Sequence, residues 1–112
     1  MSLQGLTIAL ARDALRKREF TATELTKTYI DAVDKADALG AFVHKTPEIA
    51  LEQSAAADLR LAAGGAPDLC GIPLGIKDLF CTKGVPSQAA SRILSGFLPQ
   101  YESTVTTKLF GA

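Results

Sequence analysis

The sequence predicts an α/β fold, and three observations carry that prediction. Apolar residues recur at helical spacing through most of the first sixty-odd positions. A near-continuous apolar run, Gly71–Phe80, has the residue types of a buried strand: Ile72, Leu74, Ile76, Leu79 and Phe80. A shorter apolar run, Ala41–His44, reads as a second strand.

The elements follow in order. Leu6, Leu10 and Ala14 share one helical face, with Arg12, Asp13, Arg16 and Lys17 on the others, which predicts a helix over 7–18. Thr21 and Glu24 stand at capping-box spacing, so a second helix starts there and runs to about Ala38 with a stripe of Leu25, Tyr29, Val33 and Ala36. Gly40 fits the left-handed position that closes such a helix. Thr46, Pro47 and Glu48 supply a cap, a first-turn proline and an acid at the positive end of the dipole, opening a third helix. Its predicted buried face is Leu51, Ala55, Leu59 and Ala62, and Gly64–Asp68 ends it in a surface turn. After the Gly71–Phe80 strand, residues 82–101 lack periodicity apart from a brief ordered turn at Arg92, Ile93 and Leu94. Ser103 then caps a short helix through Val105, Lys108 and Leu109 to Gly111.

Lys77 is the chemically pointed residue. An ammonium inside a buried strand costs several kcal/mol, on the order of the penalty for any unpaired buried charge. Strand alternation puts Lys77 on a face with Gly75 and Leu79 and places Asp78 on the other, poorly set to neutralise it. Such a lysine is expected to have a depressed pKa and to serve as a general base. The alternative is a buried stem whose head reaches water at the strand end.

Other chemistries find little support. Twelve basic and twelve acidic residues cancel, which leaves no electrostatic case for direct binding of nucleic acid or an anionic membrane. At 47% hydrophobic and 21% charged, the chain has the composition of a soluble globular core rather than of a disordered segment. No apolar run is long enough to span a bilayer, and Met1–Gly5 lacks the basic start of a signal peptide, so a cytoplasmic location is expected. Cys70 and Cys81 flank the predicted strand, too far apart along it for a disulfide, and read as buried small hydrophobes. His44 is the sole histidine and reads as structural; without a CxxC pair, no zinc site is expected. Ile76 before Lys77 and Asp78 after it break the phosphate-loop pattern, and no GxSxG elbow is present.

The segment Gly71–Asp78 resembles the lysine motif of the amidase signature family. The resemblance extends to Leu6–Ala9, Ala11–Leu15, Thr23–Leu25 and Ala41–Val43 upstream, and to Asp78–Val85, Ser91–Leu94 and Tyr101–Val105 downstream. It implies that residues 1–112 are the N-terminal portion of an amidase signature domain, with N-terminal helices packed on part of a mixed β-sheet that is incomplete as given. It further implies a Ser–cis-Ser–Lys triad in which only the lysine maps here, at Lys77. The two serines lie in a glycine-rich stretch further along the family's sequence, and Ser87, Ser91, Ser95 and Ser103 take no role from it. The 82–92 loop is expected either beside the substrate pocket or as a plain connection.

Within the family, the flanking residues are most similar to the branch that hydrolyses glutamine to supply ammonia for converting Glu-tRNA(Gln) to Gln-tRNA(Gln), or Asp-tRNA(Asn) to its amide. That implies partner subunits of B and C types, charged tRNA met through the complex, and ATP and Mg²⁺ used on the partners. No cofactor or metal is expected in this chain. The chain alone is expected to be inactive, because a base without its nucleophile gives almost no covalent catalysis. Other readings are a different amidase-signature hydrolase or a non-catalytic remnant that binds a partner. A truncated sheet domain is also expected to associate or aggregate.

Overall fold

The computed structural model describes residues 2–112. They form two compact units, one running to Pro73 and the other spanning Leu74–Ala112.

The first unit is three helices. Helix α1, Ile8–Lys17, is capped by the Thr7 hydroxyl, which accepts from the Leu10 amide at 3.2 Å. Helix α2, Ala22–Lys35, opens with the expected capping box: the Glu24 amide donates to the Thr21 hydroxyl at 3.0 Å, and the Thr21 amide to the Glu24 carboxylate at 2.8 Å. A 3-10 turn, Asp37–Leu39, follows and closes on Gly40 at φ 60°. Helix α3 runs Pro47–Ala63. The Thr46 hydroxyl makes no capping bond; its ψ of 60° is far from the 159° of the Thr7 and Thr21 caps. Ala11, Ala14, Leu15, Phe20, Ala22 and Leu25 are the core, with Leu6, Tyr29, Leu61 and Ile72 packed against it.

Two predicted faces are rotated. Ala14 is buried and Leu6 packs on the core as expected, but Leu10 is 58% exposed, and Ala11 and Leu15 carry the rest of α1's burial. On α3, Ala55, Leu59 and Ala62 are exposed, while Ser54 is buried and Ala57, Asp58 and Leu61 are half-buried. The cause is polar. The Asp58 carboxylate accepts from the Ala22 and Thr23 amides at 2.6 and 3.1 Å and from the Thr23 hydroxyl at 2.7 Å. A carboxylate at the positive end of α2 satisfies amides that the helix leaves unbonded, so α3 turns this face toward α2 rather than its leucine stripe.

Neither predicted strand forms, and no strand occurs among the described residues. Ala41–His44 is an exposed connection, so His44 is a solvent-facing residue and not a satisfied interior one. Across 71–80 the backbone closes local turns: the Ile72 amide donates to the Leu69 carbonyl and the Phe80 amide to the Lys77 carbonyl, each at 3.0 Å. A strand needs a neighbouring backbone to take its amides and carbonyls, and none lies alongside among the described residues. The expectation of helices on a sheet is therefore corrected for this chain to an all-helical arrangement with irregular connections. Gly71, at φ 85°, is where the chain presses on the helices; a Cβ there would meet Ala22 Cβ at 3.0 Å and the Leu15 and Leu61 Cδ1 atoms at 3.3 Å.

In the second unit the brief turn expected at Arg92–Leu94 is a 3-10 turn, capped by the Ser91 hydroxyl, and helix α4, Thr104–Gly111, is capped by Ser103. Backbone bonds gather its loops: the Gly84 amide to the Pro99 carbonyl at 2.9 Å, and the Ser103 amide to the Cys81 carbonyl at 2.8 Å. The Thr106 hydroxyl, wholly buried, also donates to the Cys81 carbonyl at 3.1 Å and reaches the Glu102 carboxylate at 2.5 Å.

Candidate functional site

The lysine segment enters the second unit at Leu74, and Lys77 is exposed. This corrects the expectation of a sequestered amine. Burial of Lys77 required a sheet around residues 71–80, and no sheet is present among the described residues to cover it. What the structure does hold in place is the backbone beside it. The Lys77 carbonyl accepts from the Phe80 amide, closing a turn.

The next residue, Asp78, gathers three consecutive amides. Its carboxylate accepts from the Gln88 amide at 2.9 Å and the Ala90 amide at 2.8 Å, and its carbonyl accepts from the Ala89 amide at 2.8 Å. Ala89 and Ala90 both lie in the left-handed region, at φ 51° and 52°. An alanine there costs roughly 1–2 kcal/mol, because its Cβ crowds the neighbouring carbonyl. Successive amides turned inward make a concavity for an anion, and here the anion is the Asp78 carboxylate. Strand alternation had left Asp78 as no more than a neighbour on the wrong face. The available signal was an acid eleven residues before a run of small residues, Ala89–Ala90–Ser91, which is too weak to find the clamp.

The serines of this unit have structural tasks. Ser87 is buried; its hydroxyl donates to the Val85 carbonyl at 3.1 Å. Ser91 and Ser103 cap the 3-10 turn and α4. Both cysteines are free: Cys70 is buried as expected, whereas Cys81 is only half-buried. The Cys81 thiol donates to the Tyr101 hydroxyl at 3.6 Å.

In the helical unit a cleft of about 130 Å³ is lined by residues including Leu6, Ile8, Leu25, Tyr29 and Ile72. It contains no acid, base or nucleophile beyond the Tyr29 and Thr7 hydroxyls, so it lacks the means for acyl transfer. Among the described residues no group of three or more His, Cys, Asp or Glu is placed to hold a metal ion, and no helix is long and apolar enough to cross a membrane.

Comparison with known proteins bears on the lysine segment directly. Residues 24–112 match the Amidase family, a span that includes Lys77, Asp78 and the 88–90 loop. The chain is 69% identical over 107 residues to the glutamyl-tRNA(Gln) amidotransferase A subunit of Jannaschia sp. (strain CCS1), covering 96% of this chain and 22% of that one. The protein of the same name from Dinoroseobacter shibae is 70% identical over 110 residues, with 98% and 22% covered. The one from Cereibacter sphaeroides (strain ATCC 17023) is 63% identical over 112 residues, with 100% and 23% covered. The chain thus spans less than a quarter of the length of the curated relatives it matches.

Proposed function

Because the chain belongs to the amidase family, we propose that it is the lysine-bearing N-terminal part of an amidohydrolase that releases ammonia from glutamine for tRNA-dependent amidation. The observation that carries this reading is Lys77 within Gly71–Asp78, inside a stretch similar to glutamyl-tRNA(Gln) amidotransferase A subunits along nearly all of this chain. Lys77 is the base of a Ser–cis-Ser–Lys triad. A serine hydroxyl needs a base to attack an amide carbonyl, and an amine can take that proton near neutrality once it is desolvated.

The exposure of Lys77 defines what the rest of the machinery must supply. Residues outside these 112 cover the amine and bring both serines. The 112 residues alone are inactive. B- and C-type partner subunits carry the ATP and Mg²⁺ chemistry and present the charged tRNA, in the cytoplasm. A second reading, a chain that only binds a partner, draws on the outward apolar residues of the second unit, such as Ile93, Leu98 and Phe110. An amidase acting on another small amide shares the Lys77 chemistry.

The test is a chimera. These residues replace the matching segment of the Jannaschia protein, produced with its partner subunits, and ammonia release from glutamine is measured. Turnover comparable to the parent complex, lost by roughly 10³-fold or more in Lys77→Ala, is the expected result. Turnover that survives Lys77→Ala refutes the assignment. Hydrolysis of other amides but not glutamine favours the wider amidase reading, and a chimera that assembles without hydrolysing any amide favours the partner-binding one.

A further inference from the structure

We propose that Asp78 is a positioning residue for Lys77, pinning the left-handed 88–90 loop to the lysine-bearing backbone and thereby fixing where the amine is presented. The inference rests on the reading of Lys77 as the base. Three acceptors of one residue, two carboxylate oxygens and a carbonyl, take the amides of Gln88, Ala89 and Ala90 at 2.8–2.9 Å. Residue 78 is thus held through both its main chain and its side chain, and rotation about its Cα breaks at least one bond. The Lys77 carbonyl is held in turn by the Phe80 amide at 3.0 Å. The Cα of Lys77 is bracketed while its side chain stays free to reach.

The loop's backbone shows why a carboxylate is needed. Two successive alanines at φ 51° and 52° adopt a conformation that glycine takes without strain. An anion in the concavity of inward-turned amides holds that conformation against relaxation. Asparagine at 78 keeps the shape of the side chain but turns an amide group toward a backbone N–H, so one bond of the clamp is lost. If the clamp is what matters, glycines at 89 and 90 should stand in for the missing anion.

Two measurements test this with Asp78→Asn, the triple variant Asp78→Asn/Ala89→Gly/Ala90→Gly, and Lys77→Ala. In the 112-residue chain, hydrogen exchange at the Gln88 and Ala90 amides should quicken by about tenfold or more in Asp78→Asn. In the chimera, kcat should fall roughly thirtyfold with KM within about twofold, because misplacing a catalytic group costs turnover more than binding. The two glycines should recover at least about fivefold of that kcat. Unchanged exchange, a parental kcat in Asp78→Asn, or no recovery by the glycines would each overturn the proposal. The Lys77→Ala arm separates the two claims. Full turnover in Lys77→Ala defeats the base reading, and the positioning role with it. Lost turnover there beside a fully active Asp78→Asn defeats the positioning role alone.

Discussion

The helical unit and the lysine-bearing unit are held together by different means. The first buries carbon: Leu15 and Leu25 are 2% and 1% exposed, inside a cluster of alanines and Phe20. The second encloses little carbon beyond Pro99. Its enclosed side chains include Ser87 and Thr106 beside Pro99, and its large apolar residues face outward, Ile93 at 92% exposure and Phe97, Leu98, Val105 and Phe110 at 40% or more. Hydrogen bonds to charged or buried partners are worth about 1–3 kcal/mol each, while burying an aliphatic side chain is worth about 1.5–3. A polar framework of this kind fixes loop geometry well but offers little area-driven stability. The unit that carries Lys77 is thus held mainly by hydrogen bonds that fix its loops.

The comparison can be broken most decisively by truncating one leucine. Leu25→Ala should cost about 3 kcal/mol, read as a lowered midpoint in chemical denaturation followed by far-UV circular dichroism. Ile93→Ala, in the other unit, should change stability by less than about 0.5 kcal/mol. Equal losses would erase the contrast.

Gly71→Ala comes next, at about 2 kcal/mol, since the new Cβ meets Ala22 at 3.0 Å while the backbone stays at φ 85°. Its effect should appear in the melting of the helices. Thr106→Val sharpens the other side: it removes a hydroxyl bonded to the Glu102 carboxylate and the Cys81 carbonyl, leaving that carbonyl with the Ser103 amide alone, for about 1.5 kcal/mol. The loss should show as faster amide exchange at Ser103 and through α4, with the helical unit unaffected.

The smallest effect is a surface latch. Lys45 pairs with Asp37 at 2.7 Å and Asp34 at 3.2 Å. The hydrogen bond from Lys45 lowers the Asp37 pKa, and the bonds that Lys45 donates to Asp37 and Asp34 raise its own. The Asp37 contribution is present above the ordinary carboxylate range and is lost as pH falls through its lowered value. The Lys45 contribution is full below the ordinary lysine range and is lost as pH rises through its raised value. The melting-temperature difference between the parent and Lys45→Met should therefore be largest between those limits, vanish at both extremes, and shrink with added salt. A difference independent of pH would mean that the latch acts by packing alone.

Local grammar made several features legible in advance. The Thr21–Glu24 box, Gly40 at the left-handed close, Pro47 in the first turn of α3, the short turn at 92–94 and Ser103 before α4 are all where the residues point. Failures begin where a partner was needed. Periodicity put Leu10 and Leu59 inside, yet the neighbouring helices select the faces with Leu15 and Asp58 instead. The Asp78 clamp spans ten to twelve residues and joins types that have no shared motif.

By itself, then, the sequence determined where helices begin, because a cap is closed by groups three or four positions apart, although α2 stops at Lys35, short of the expected Ala38. It also carried the family resemblance at Gly71–Asp78, which is a matter of residue identity. Only the tertiary structure decided which faces are buried, that 71–80 takes turns instead of a strand, and that Lys77 stands in solvent beside an anchored aspartate. Those outcomes depend on which distant backbone or side chain is there to meet each group, and a strand without a neighbour has nowhere to place its hydrogen bonds.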